Sequence, residues 1–234
     1  MNEKYKAVAY WGMRSECIEQ CAERLARFLH ELEQISPRLA RWYQLGATKK
    51  DAIKALVRRD LQNLCAMAHT SAGHRAGSGK PYLDDMGVSF GMWTGEQQDG
   101  SSMAMNIVCG SSNQYAGVNH VRMNPPRAWL DVDQAVALVR AMVACWSPST
   151  AMVCSGPALT AMADAGIDEP VIDWVFYHRL PRAGALSPPS RVAFELDGGE
   201  CIVVQDTPAQ PGDPDARARV LALSRQLGLM RGQS

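Results

Sequence analysis

The stretch KAVAYWGMRSECIEQCAERLARFLHELEQI, Lys6–Ile35, changes period at Trp11-Gly12. Before that corner, KAVAYW reads as a short buried strand. After it, apolar side chains recur at Ile18, Cys21/Ala22, Leu25, Phe28/Leu29, Leu32 and Ile35. This is the i, i+3/i+4, i+7 stripe of an amphipathic helix. The chain therefore passes from sheet to helix at an aromatic-glycine corner. Gly12 permits a tight strand exit, and Trp11 offers a large surface for fixing the helix to the sheet.

Outward from this unit, Pro37 and the pair Trp42-Tyr43 lead to a turn at Gly46. A second helix is expected from Thr48 as N-cap, with Ile53, Leu56/Val57, Leu61, Leu64/Cys65 and Ala68 as its apolar stripe. The segment TSAGHRAGSGKPYLDDMG that follows is rich in Gly and Ser and reads as a mobile loop over about 70–86. GVSFGMWTGE, SSMAMNIVCGSS and GVNHVRMNPP then read as three short strands, most simply an antiparallel meander. WLDVDQAVALVRAMVACW is the clearest helix, with Asp131 as N-cap and Gln134 completing a capping box.

STAMVCS reads as a further strand, GPALTAMADAG as a short helix closed by Gly166, and VIDWVFYHRL as a strand. SRVAFEL and ECIVVQD flank Asp197-Gly198-Gly199, a strong hairpin signal. A proline-rich linker, residues 207–214, precedes a last helix, DARARVLALSRQLG, with Pro214 near its first turn. No internal repeat or abrupt shift in composition divides the chain. The expectation is one α+β domain over residues 1–234, a mostly antiparallel sheet packed by several helices.

The 234 residues carry 24 basic and 24 acidic side chains, so no global field draws the chain to nucleic acid or an anionic membrane. The same neutrality excludes a whole-surface DNA mimic. The N-terminus has no basic region followed by a long apolar run, and no window reaches the roughly 18 uninterrupted apolar residues of a membrane span. A cytoplasmic, soluble protein is the expectation. Seven cysteines, an odd number spread over the chain, fit reduced and mostly buried thiols. Cys17 and Cys21 lie one helical turn apart, but no Cys-x-x-Cys or nearby His completes a metal site.

Catalytic signatures are sparse. There is no Walker loop, no dinucleotide fingerprint and no His-Glu-x-x-His. GHRAGSGK has the wrong spacing for a phosphate loop, and Pro81 follows where a helix should begin. Ser155 in VCSGPAL lacks the full nucleophile-elbow pattern and reads better as a helix N-cap. The five histidines form no i, i+3 or i, i+4 pair, and His178 is the one worth following as an acid or base. The tryptophans, one to an element, suit core anchors, and some could serve as interface hot spots. No cofactor and no metal are expected.

AYWGMR, with Tyr10, Trp11, Gly12 and Arg14, the helix ECIEQCAERLARFLHELEQISP, and LARWYQLG, with Trp42 and Gly46, resemble the immunity protein 52 family of bacterial polymorphic toxin systems. The strand VSFGMW and the late strand with Trp174 add weaker support. The resemblance implies a protein without catalytic activity that binds and neutralises a cognate toxin. Such toxins are delivered between bacteria by contact or by a type VI secretion apparatus, and are often restriction-endonuclease-like nucleases. Trp11, Gly12, Arg14 and Trp42 are then a fold signature, separate from the residues that bind toxin.

A nuclease is commonly basic around its substrate groove, so a local acidic patch would steer association even on a neutral protein. The best candidates are Asp84, Asp85, Glu96 and Asp99, with Gln97, Gln98 and Tyr115 beside them. The expected partner is a toxin protein, with no direct nucleic-acid or membrane contact. Two alternatives remain: a small hydrolase using Ser155 and His178, and a scaffold without a toxin partner. An immunity gene should lie beside a toxin gene, which the alternatives do not require.

Overall fold

A computed structural model describes residues 5–46, 48–76, 84–96, 98, 101–114, 117–164, 170–179, 192–210 and 215–226. The opening strand is β1, Lys6–Trp11, and the striped helix is α1, Ile18–Ile35. Cys21, Ala22, Leu25, Phe28, Leu29 and Leu32 are buried along α1, as the period requires. A two-residue strand, β2 (Tyr43–Gln44), follows, a feature too short to leave a periodic signal.

The single second helix expected from Thr48 is two helices. Thr48 does cap α2, Lys49–Ala52, its hydroxyl accepting from Asp51 N–H at 3.2 Å, but α2 then stops. The chain between pairs its backbone with the Trp42–Gln44 segment: Gln44 N–H donates to Ala55 O at 2.9 Å and Val57 N–H to Trp42 O at 2.8 Å. Leu56 is consequently 49% exposed, off any helical stripe. Asp60 restarts the helix, its carboxylate accepting from Asn63 N–H at 2.8 Å, and α3 runs Leu61–Ala76. Helix thus extends into the segment read as a loop from residue 70, and residues 77–83 lie outside the described chain.

The predicted meander is present as β3 (Val88–Trp93), β4 (Ala104–Cys109) and β5 (Asn119–Met123). The helix α4, Val132–Trp146, begins with the capping box of Asp131 and Gln134. Then come β6 (Thr150–Cys154), α5 (Gly156–Asp164) and β7 (Val175–His178). The hairpin is β8 (Val192–Leu196) and β9 (Gly199–Val203), and α6 spans Ala216–Gln226. Asp197 and Gly198 turn that hairpin with φ of 45° and 71°, both in the left-handed region that a two-residue hairpin of matching twist demands.

Among the described residues, nine strands form one antiparallel sheet in the order β2-β3-β4-β5-β1-β6-β7-β9-β8. The fold is α+β and single-domain. The opening strand therefore lies centrally, joining the meander to the later strands. Strand alternation sends Ala7, Ala9 and Trp11 to one face, where they join a core with α1, α3 and α4. Val8, Met152, Phe176 and Ile202 point to the other face, where α5 and α6 enclose a smaller core. That second layer stands over β1, β6, β7 and β9, while outward-facing Ala104, Asn106 and Arg122 of β4 and β5 are exposed.

Candidate functional site

The signature corner is a bolt between helices. The Trp11 ring stacks on Trp146 with centroids 5.4 Å apart, and Trp146 meets Phe28 of α1 edge-on at 6.0 Å. Arg14 lies over the Trp11 ring at 5.2 Å and donates through Nη1 to the Trp146 carbonyl at 2.9 Å. Arg24 of α1 donates to the neighbouring Cys145 carbonyl at 2.8 Å. Two guanidinium groups thus satisfy carbonyls in the last turn of α4, where unpaired acceptors and the negative end of the helix dipole meet.

Glu16, only 6% exposed, binds both cations: Arg24 Nε at 2.5 Å and Arg14 Nε at 3.1 Å. Burial lowers Arg14 from its ordinary pKa, while Glu16 opposes that shift and Arg24 adds to it. Gly12 itself has open space around the position of a Cβ; its carbonyl accepts from Asn119 Nδ2 at 2.9 Å. Trp42, also buried, donates from Nε1 to Leu39 O at 2.8 Å.

The candidate acidic residues divide between the two ends of β3. Asp85 sits before it, exposed, with its carboxylate accepting from Asn113 Nδ2 at 2.9 Å. The Asp85 carbonyl also accepts from Ser112 and Asn113 N–H, both at 3.0 Å, so this end is tied to the loop after β4. Asp84 begins the short 3-10 turn there. Glu96 and Gln98 follow β3, beyond a six-residue strand that spans roughly 20 Å. Gln97, Asp99 and Tyr115 lie outside the described residues. Among the described residues, Asp85 and Glu96 therefore stand at opposite ends of β3.

Ser155 and His178 are likewise kept apart. His178 pairs with Thr150 at the start of β6, whereas Ser155 follows the last residue of that strand, roughly 16 Å away. Ser155 Oγ accepts from Ala158 N–H at 3.3 Å, the N-cap role read from sequence. Among the described residues, no group of three or more His, Cys, Asp or Glu side chains could hold a metal ion, and no helix is long and apolar enough to cross a membrane.

The exposed sheet face carries an ordered cluster. Arg122 lies over the Tyr10 ring at 5.5 Å, and the Tyr10 and His120 rings are 6.3 Å apart. His120 Nδ1 meets the Val118 carbonyl at 2.7 Å and Nε2 pairs with the Asn106 side-chain amide at 3.0 Å. A separate groove of ≈ 370 Å³ runs beside the β3 edge, where Ser89 N–H donates to Ser71 Oγ of α3 at 2.8 Å.

The profile of the family described as Immunity protein 52 matches residues 3–208. The chain belongs to this family. Among solved structures, it is similar to the Pseudomonas aeruginosa T6SS protein PA0821, at 16% identity and a TM-score of 0.60. That alignment covers 98% of this chain and 73% of the other, and it supports the fold. The comparison with curated protein sequences finds no match.

In this Immunity protein 52 chain, one buried node had no sequence signal. Asp173, 1% exposed, accepts from Ser155 N–H at 2.9 Å, Gln205 Nε2 at 2.9 Å and Ala209 N–H at 3.0 Å. It ties the start of α5 to the segment after β9. The Tyr10–His120–Arg122 cluster was equally hidden, because it draws on two strands more than a hundred residues apart in sequence.

Proposed function

We propose that this chain binds and neutralises a cognate antibacterial toxin of a type VI or related secretion system, and that the toxin is a nuclease. The observation that carries the reading is the Immunity protein 52 match, which extends over residues 3–208. The similar Pseudomonas aeruginosa structure is that of a T6SS protein, which fits the same setting. Neutralisation is by stoichiometric protein binding that covers the toxin active site or blocks an assembly the toxin needs. Asp84, Asp85, Glu96, Gln97, Gln98, Asp99 and Tyr115 contribute polar and acidic contacts to the toxin.

The test is expression of the toxin encoded beside this gene, with and without this chain. Growth is expected to be arrested by the toxin alone and restored by co-expression. The purified toxin should cleave DNA only when this chain is absent. Arrest that persists on co-expression, with both proteins soluble, would refute the immunity reading. Rescue without any DNA cleavage by the toxin would refute its nuclease part alone.

A further inference from the structure

The sheet is covered unequally. Among the described residues, one face packs along its length against α1, α3 and α4, whereas α5 and α6 pack on β1, β6, β7 and β9 on the other. Antiparallel strands tolerate such a face when its side chains are polar. This one is not simply a solvated polar surface. Its centre is the Arg122–Tyr10 stack flanked by His120 and Asn106, held in a fixed geometry by the contacts above.

Its border is apolar. Trp11 of β1 and Asn119 of β5 are register partners, and Asn119 Nδ2 binds the Gly12 carbonyl. Val118, next to Asn119 and on the side of His120 and Arg122 by strand alternation, is 58% exposed. Tyr and Arg beside exposed apolar side chains are the composition of binding hot spots.

The charge on this face is of one sign. Among the described residues Arg122 meets no carboxylate, and its interaction is with the Tyr10 ring. Lys6, one strand away, is lowered from its ordinary pKa by burial, with Cys154 opposing and the repulsion of Arg122 adding to the shift. A guanidinium that meets a ring instead of an acceptor keeps its fork of donors open for a carboxylate.

Building on the toxin-binding reading, we propose that the open face of β4, β5 and β1 is a toxin-docking surface in addition to the acidic residues named above. It receives a protein segment that presents carboxylates to Arg122 and an apolar side chain to Val118. A nucleic acid would match the charge but not that exposed apolar border, and the chain as a whole has no net charge to favour it.

The experiment uses the full-length chain and the purified toxin encoded beside its gene. Affinity is measured by calorimetry for wild type, Arg122→Glu, Arg122→Ala and Asn106→Arg, with Glu195→Lys as a remote charge control. Arg122→Glu should weaken binding at least about 30-fold and Arg122→Ala about 5-fold or more, since like charges face to face cost more than a lost contact. Circular dichroism melting should be unchanged, because Arg122 is exposed. Wild-type affinity in both Arg122 variants, with toxin still neutralised, would overturn the docking face and leave the immunity reading intact. Failure of the wild-type chain to bind toxin would overturn both. Loss of oligonucleotide binding in Arg122→Glu, with toxin binding retained, would assign the face to nucleic acid and overturn the proposal.

Discussion

Replacing Arg14 by Ala tests whether the Trp-Gly-x-Arg corner holds the fold together. The substitution removes the hydrogen bond to the Trp146 carbonyl at 2.9 Å, the contact over Trp11 at 5.2 Å and one of the two cations on Glu16. A charge-assisted bond of this kind contributes about 1.5–3 kcal/mol and the cation–π contact about 0.5–1 kcal/mol. The Arg14 side chain is 27% exposed, so water recovers part of that loss. The net destabilisation is about 2–3 kcal/mol, which for a chain of this size lowers Tm by about 4–12 °C.

Arg14→Lys should recover less than half of it, because an ammonium lacks the planar fork that stacks and donates together. Thermal melting gives the shift, and calorimetry below Tm gives the toxin affinity of the folded protein. The expected pattern is lower stability with unchanged affinity. A loss under about 0.5 kcal/mol, the range of ordinary surface changes, would refute the structural role. Unchanged melting with lost affinity would instead put the corner in the interface.

Asp173→Ala strands two buried backbone donors and the half-buried Gln205 amide and should cost about 3 kcal/mol, read as a fall in the urea midpoint, with Asp173→Asn intermediate; an unchanged midpoint would contradict the node. Burial pushes the Cys145 thiol up to about 11 and Cys201 up to about 12, so at about pH 8 a maleimide should modify exposed Cys17 first and reach those two only on unfolding. The same thiols ionise near 9 in the unfolded chain, so their contribution to stability falls as pH rises beyond about 9. The Arg59 guanidinium beside Glu33 holds its carboxyl below the ordinary value of 4.5; the ion pair therefore contributes above that pH and is lost on acidification. The Tm difference between wild type and Glu33→Gln should shrink as pH falls below 4.5, and a constant difference would argue against the pair.

The fold was legible where a local period or a cap decides an element. The α1 stripe, the Asp131–Gln134 box and the Asp197-Gly198 turn each carry their own physical signal. It was illegible where partners distant in the chain override propensity. The break between α2 and α3 comes from backbone pairing of residues 55–57 with 42–44, and nothing local marks it except Asp60. The candidate site follows the same division. Trp11 and Arg14 stand out as residue types, but their shared partner Trp146 comes from the far end of α4. Asp85 and Glu96 look adjacent in sequence composition, yet a whole strand separates them. Tyr10, Asn106, His120 and Arg122 form a surface only because β1 inserts beside β5 and leaves α5 and α6 on the other half of the sheet.

The most direct test is co-purification of this chain with the product of the neighbouring open reading frame, followed by mass measurement of the complex. A stoichiometric complex is expected, one that survives size-exclusion chromatography and in which the toxin is silent. Separate elution of the two proteins, with the toxin fully active in the mixture, would contradict it.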